Sequence, residues 1–171
     1  GQELELSNEV LFTYPALRKT YPNFNIEIGA GEIHKGEVMC IMGANGLGKS
    51  TFLNLLAGLE KPDDGEKLNN EIAFKPQYLD PIEGTVQQVL ESAGKSKLSK
   101  SWYKKNILGN LGLNRLMEIE VKNLSGGELQ KLYIAKTLFQ DAKIYAFDEP
   151  SAFIDVEDRV KVASILKDFV L

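Results

Sequence analysis

The sequence holds one cysteine, one histidine and one tryptophan in 171 residues. A lone Cys40 excludes a disulfide or a cysteine-ligated metal within the chain. Set in an apolar run, it reads as a small buried hydrophobe. No apolar stretch approaches the roughly 20 residues that a membrane helix requires, since the run from Val38 to Met42 is broken at once by Gly43. The opening residues carry Glu3, Glu5 and Glu9 and lack the basic start and apolar block of a signal peptide. An excess of positive charge is missing too. With net charge -4 and a pI near 5.2, the chain has no global field for holding nucleic acid, so any such partner must be met locally. There is no internal repeat and no low-complexity segment. What is present, 43% hydrophobic and 26% charged residues, suffices to bury the core of one soluble globular domain.

Short apolar runs alternate with longer helical periods, which is an α/β pattern. Residues 9–14 and 24–28 read as early strands separated by a turn with Pro15 and Pro22, and 37–42 as a third strand that empties into a glycine-rich loop. Phe52, Leu53, Leu55 and Leu56 then fit a helix over 49–57 that Gly58 can close. Pro62-Asp63-Asp64-Gly65 is a turn signal. The stretch 85–117 reads as helical and more polar. Leu129, Leu132, Ala135 and Phe139 recur at helical spacing, as do Val156, Val160, Ala163 and Val170 in the last segment, with a short strand 144–147 between.

The strongest motif is Gly43-Ala44-Asn45-Gly46-Leu47-Gly48-Lys49-Ser50, followed by Thr51. It fits the P-loop spacing, glycine, four residues, then Gly-Lys-Ser. Glycines let backbone N–H groups turn inward onto phosphate oxygens, and the helix that follows points its positive end at them. Lys49 then reaches the β- and γ-phosphates of a nucleotide, and the Ser50 hydroxyl suits Mg²⁺. A second motif, Ile144-Tyr145-Ala146-Phe147-Asp148-Glu149, is an apolar strand ending in two carboxylates. Asp148 is placed to hold Mg²⁺, usually through water, and Glu149 to orient or deprotonate the attacking water. In Leu124-Ser125-Gly126-Gly127-Glu128-Leu129-Gln130, the pair Ser125 and Glu128 makes a capping box, which by itself only starts a helix. Two glycines just inside that start are costly for helix formation. Exposed N–H groups there make an anion site, suited to a γ-phosphate held on a different domain.

The order of a P-loop, Gln77 in Phe74-Lys75-Pro76-Gln77, Leu124 to Gln130 and Asp148-Glu149-Pro150 resembles that of the ABC ATPases over nearly the whole chain. The resemblance implies a P-loop (RecA-like) α/β core with a parallel sheet, an N-terminal antiparallel β subdomain and a helical signature subdomain at about 85–125, in a single nucleotide-binding domain spanning 1–171. It also implies Mg-ATP as cofactor and a head-to-tail sandwich with a second such domain, in the same longer protein or in a homodimer. On the same resemblance, Gln77 is expected to sense Mg²⁺ and the attacking water, Ser125, Gly126 and Gly127 to close the opposing site, and 151–155 to form the D-loop. For the aromatic residue that stacks on adenine, Tyr14 is the first candidate, with Tyr21 and Phe12 as alternatives. Gly43 and Ser125 lie 82 positions apart, too close for the long coiled coil that some DNA-repair ABC ATPases insert there.

Tyr14-Pro15, Asn23-Phe24, Lys75-Pro76-Gln77 and Ser151-Ala152-Phe153-Ile154-Asp155 are similar to the E subfamily, the ribosome-recycling or RNase L inhibitor family, and to its second nucleotide-binding domain in particular. That likeness implies a cytoplasmic ATPase that splits ribosomes in translation, with the ribosome as partner and no membrane span. An ABC transporter motor and a non-hydrolysing nucleotide-gated module are the alternatives. The family's switch histidine follows the D-loop helix by one strand. The chain stops at Leu171 in or just after that helix, and His34 reads as a solvated turn residue rather than a substitute. The chain is therefore expected to be a fragment or a shortened form that binds ATP and turns it over weakly alone. Lys95, Lys97, Lys100, Lys104 and Lys105 surround Trp102 and Tyr103. This patch reads first as a solvated helical face and second as a local contact to RNA.

Overall fold

A computed structural model describes residues 9–34, 38–41, 47–69, 72–75, 79–80, 82–142, 144–148 and 154–170, with the main chain alone at 11, 12, 38–41, 47–50, 148 and 170. Seven strands and five α-helices are found among them.

The parallel core is a three-stranded sheet in the order β5 (Val38–Ile41), β7 (Ile144–Asp148), β6 (Ile72–Lys75). The strand latest in sequence lies between the two earlier ones. All three run the same way, so their C-terminal ends share one edge, where open α/β sheets bind ligands. Helix α1 (Leu47–Ala57) follows β5. Its Leu53 packs on Ala146, with Ile72 and Phe74 beside it. Successive strand residues point to opposite faces, and Phe147 accordingly joins the larger core on the other side. There it meets α2 (Val86–Gly94), α4 (Gly126–Phe139) and α5 (Val156–Val170).

The N-terminal subdomain is antiparallel as expected, and it holds two more strands than the sequence reading assigns. Strand β1 (Val10–Tyr14) pairs with β4 (Gly31–His34), and β2 (Leu17–Thr20) with β3 (Asn25–Ile28). β2 and β4 are four residues long and bury one side chain each, Leu17 and Ile33, too short a pattern for periodicity to reveal. His34 thus ends a strand rather than lying in a turn. It is half-buried, its Nε2 3.1 Å from Glu32 Oε1 on the same face.

The β2–β3 pair grips the end of α1. Thr20 Oγ1 donates to Asp63 Oδ2 at 2.6 Å, Asp63 N donates to the Arg18 carbonyl at 2.7 Å, and Tyr21 Oη donates to Glu60 Oε2 at 2.7 Å. The Thr20 hydrogen bonds hold the Asp63 carboxyl below its ordinary pKa. Gly58, at φ 77°, closes α1 in the left-handed conformation.

The stretch 85–117 is helical but broken. Thr85 and Gln88 form a capping box that starts α2. A 3₁₀ turn (Lys95–Ser99), the short α3 (Ser101–Tyr103) and a π-helical turn (Lys104–Gly109) follow. At the break, Gly94 lies so close to α4 that a Cβ would stand 2.2 Å from the Phe139 carbonyl oxygen.

Helix α5 corrects the expected apolar face. Val156 and Val160 are 73% and 69% exposed, and Ala163 is exposed as well. The buried stripe is Val162, Ile165 and Leu166, continued by half-buried Phe169. Two apolar registers coexist in the sequence of this helix. Phe169 decides between them, because its ring meets Tyr145, Tyr103 and Trp102.

Candidate functional site

The sheet's C-terminal edge assembles the first half of the site. In the β5–β7 register, Asp148 pairs with Ile41, two residues before Gly43. The main chain from Leu47 to Ser50 is already helical, so Gly48, Lys49 and Ser50 lie in the first turn of α1. A strand and a helix thus flank residues 42–46 in the order that a phosphate loop needs. Of the other residues read from the sequence, Gly43, Ala44, Asn45, Gly46, Gln77, Glu149 and 151–153 lie outside the described residues. Gln77 and Glu149 follow the ends of β6 and β7 by two residues and one. Thr51, two residues after Lys49 in the same helix, is buried.

The flank of α1 is aromatic. Tyr14 is half-buried, its ring edge-on to Phe52 at 5.4 Å, and it covers Gly31 so closely that a Cβ there would meet its hydroxyl at 2.4 Å. Tyr21 stacks on Phe24 at 4.8 Å. Burial, then its bond to Glu60, raises its pKa, which a hydrogen bond with Thr51 opposes. Both tyrosines border the phosphate-loop helix. Phe12 is described only along its main chain.

The second half-site starts α4. Ser125 Oγ accepts from Glu128 N at 3.1 Å, and Glu128 Oε1 accepts from Ser125 N at 2.9 Å, closing the capping box. Ser125 and Gly126 are exposed. The box uses the N–H of Glu128 and leaves the main-chain donors of Gly126 and Gly127 at the open end of a 14-residue helix. That terminus belongs to the face of the sheet opposite α1, since α4 shares its core with Phe147 and α1 shares its own with Ala146. One chain therefore carries a phosphate-loop helix on one face and an anion-ready helix end on the other.

Contacts that the motifs do not announce join the halves. Tyr133 of α4 donates its hydroxyl to the Asp80 carbonyl, just beyond Gln77 in sequence, and burial raises its pKa. Lys131 Nζ donates to Asp158 Oδ2 at 2.6 Å, tying α4 to α5 and holding the Asp158 carboxyl below its usual range. Lys75, the last residue of β6, is fully buried on the α4 face, in register with Phe147. A lysine in mid-helix or at a strand end carries no sequence signal for such roles.

The basic patch also differs from its sequence reading. Lys97 turns inward, donating to Asp141 Oδ1 at 2.6 Å and to the Phe139 carbonyl at 3.3 Å, and thereby caps the end of α4. The bond to Asp141 raises its pKa. Lys95, Lys100, Lys104 and Lys105 stay exposed.

Among known proteins, the profile of the family described as ABC transporter matches residues 29–152. An ABC transporter ATP-binding protein of Methanocaldococcus jannaschii is 45% identical over 162 residues, covering 92% of this chain and 27% of that protein. Translation initiation factor RLI1 of Chaetomium thermophilum is 40% identical over 94% of this chain and 26% of its own length. The chain thus spans about a quarter of the length of these relatives. Among solved structures, the archaeal ribosome recycling factor aABCE1, in complex with the stalk protein aP1, superposes with a TM-score of 0.88. It is 46% identical over 99% of this chain and 33% of that one. Among the described residues, no helix is long and apolar enough to cross a membrane. With a phosphate-loop strand and helix, a signature helix start and a family match over most of its length, the chain belongs to the ABC ATPases, as a nucleotide-binding domain closely related to those of the RLI1 and ABCE1 proteins.

Proposed function

We propose that the chain binds Mg-ATP on its phosphate-loop face and hydrolyses it when a second ABC domain, in the same longer protein or in a second copy, closes its signature helix over the γ-phosphate. The closing motion drives ribosome splitting in the cytoplasm. The observation that carries this reading is the opposed placement of the two half-sites, α1 on one face of the β5–β7–β6 sheet and α4 on the other. A single ATP cannot be held by both ends of one chain so arranged, whereas two chains packed head to tail complete two sites. The ribosomal assignment is supported by the recycling role named for the archaeal relative.

In this cycle Lys49 and the N–H groups of 43–48 hold the β- and γ-phosphates. Thr51 supports that turn, and Tyr14 contacts the adenine. Ser50, Gln77 and Asp148 are the oxygen donors suited to Mg²⁺, a hard cation. The backbone register that brings Asp148 beside the strand feeding the loop fits such a site. When bound, Mg²⁺ supplies charge neutralisation at the β- and γ-oxygens. Glu149 orients the attacking water and accepts its proton. From the partner, Ser125 and the N–H groups of Gly126 and Gly127 donate to the γ-phosphate and stabilise its developing charge. Hydrolysis gives ADP and inorganic phosphate, and departure of that phosphate removes the charge that holds the sandwich together.

The test uses a complete pair of domains. Glu149→Gln is expected to accumulate a closed, ATP-bound pair in size-exclusion chromatography, with turnover reduced at least about a hundredfold. Hydrolysis by that variant at the unmutated rate contradicts the role of Glu149. Failure of the trapped pair to sediment with ribosomes contradicts the ribosomal part alone.

A further inference from the structure

From Ser92 to Met117 the chain carries Lys95, Lys97, Lys100, Lys104, Lys105 and Arg115 and not one carboxylate. These six of twenty basic residues leave fourteen against twenty-four acids elsewhere, so a basic lobe sits on an otherwise acidic molecule. Lys97 is spent internally on Asp141 and on the end of α4. Lys95, Lys100, Lys104 and Lys105 are exposed, and among the described residues they enter no ion pair. Asp141, whose carboxyl the Lys97 hydrogen bond holds below its ordinary pKa with a smaller contribution from Lys100, is already bonded to Lys97.

Among these lysines stands Trp102, the only tryptophan of the chain. It is 41% exposed, yet it is held in place. Its ring lies edge-on to Tyr103 at 5.4 Å and tilted against Phe169 at 6.1 Å, while Tyr103 turns inward onto Phe139. The backbone around it is fixed by side-chain amides. Asn106 Nδ2 donates to the Trp102 carbonyl at 3.1 Å, and Asn114 Nδ2 donates to that of Lys104 at 3.4 Å. Lys104 and Lys105 open a π-helical turn, a geometry found often at functional sites. A solvated helical face needs no anchored tryptophan, and a membrane surface calls for a broader apolar face than one indole.

We propose that this lobe is a binding surface for single-stranded RNA, with an unstacked base on the open face of Trp102 and the flanking phosphates on Lys100, Lys104 and Lys105. Aromatic planes interleaved with cations are the chemistry by which such segments are gripped. The inference rests on the ribosomal reading above for its biological setting and names the surface by which this domain meets RNA. It is distinct from both half-sites.

The lone tryptophan makes the patch its own reporter. Titrating the chain with a twelve-nucleotide single-stranded RNA is expected to quench the indole fluorescence, as stacking of a base does. Three phosphate contacts give a log–log salt slope of about -2, or roughly a twentyfold loss of affinity between 50 and 200 mM salt. The Lys100→Glu/Lys104→Glu/Lys105→Glu variant changes only exposed side chains, and its circular dichroism and ATP affinity serve as controls for folding. Its RNA affinity is expected to fall at least about tenfold. Trp102→Phe is expected to weaken binding by a few fold, and heparin to bind without stacking on the indole.

Absence of salt-dependent RNA binding, or retention of it by the triple variant, overturns the proposal. So does phosphatidylserine-vesicle binding as tight as that of RNA and lost in the same variant, which assigns the lobe to an anionic membrane. Ribosome sedimentation by the paired domains without RNA binding at this lobe overturns the surface and leaves the ribosomal function standing.

Discussion

The two faces of the β5–β7–β6 sheet carry different helices and different halves of the site. On the α4 and α5 side, Phe147 joins a continuous core with Leu132, Leu138, Phe139, Ile165, the π-helical Ile107 and Leu108, and Leu113 just after them. On the α1 side, among the described residues, Leu53 packs on Ala146 with Ile72 and Phe74 beside them, and Leu55 and Leu56 of the same helix are fully buried. The difference follows the division of labour proposed for the chain. The face that presents a helix end to another molecule must be rigid, because donors at a helix start stabilise developing charge only when held in place. The face that receives the nucleotide carries α1, with Leu53, Leu55 and Leu56 buried beneath it, and there ligand binding adds its own free energy to the folded state.

Mutations probe this asymmetry in descending order of effect. Phe139→Ala, at a site with no exposure, is expected to cost about 3–5 kcal/mol in urea denaturation. Leu53→Ala, on the other face, is expected to cost about 2–4 kcal/mol, because a leucine deletes less buried surface than a phenylalanine. Lys49→Ala is expected to lower ATP affinity about a hundredfold in calorimetry, roughly 2.7 kcal/mol, while shifting the urea midpoint little.

Ser125→Ala separates the two roles of the signature start. It is expected to cost about 1 kcal/mol of stability through the lost cap and to leave ATP affinity of the chain alone unchanged. Asp158→Asn loosens the α4–α5 tie and is expected to cost below about 1 kcal/mol, since the pair is only partly buried. Because the folded-state pKa of Asp158 is depressed by Lys131, its contribution is complete above the ordinary carboxylate value near 3.9. It is lost as pH falls through the lower folded value, so the difference between Asp158→Asn and the unmutated chain should vanish in acid. A gap that persists at low pH would remove the ion pair as the cause.

How much of this was legible in advance depended on the length and chemistry of each signal. The strand over 38–41, the helix from Leu47 and the strand before Asp148 were readable because apolar runs and helical spacing flank the glycine-rich motif on both sides. The capping box of Ser125 and Glu128 was legible as well, and it is present. β2 and β4 escaped because four-residue strands with one buried side chain have no period to detect. The inward turn of Lys97 was invisible because its partners, Asp141 and the Phe139 carbonyl, lie more than forty positions away. The face of α5 was misread because Val156, Val160 and Ala163 keep helical spacing as faithfully as Val162, Ile165 and Leu166 do. Only the distant rings around Phe169 break that tie.

The central claim, that each ATP site is shared between opposite faces of two domains, is tested most directly by complementation. A chain with Lys49→Ala and a chain with Ser125→Arg are each assayed for ATP turnover alone and then mixed. Each alone is expected to be inactive, and the mixture to regain roughly a quarter of the unmutated rate, because half of randomly formed head-to-tail pairs contain one intact composite site. Unmutated turnover from the Ser125→Arg chain alone, with no gain on mixing, would contradict the account.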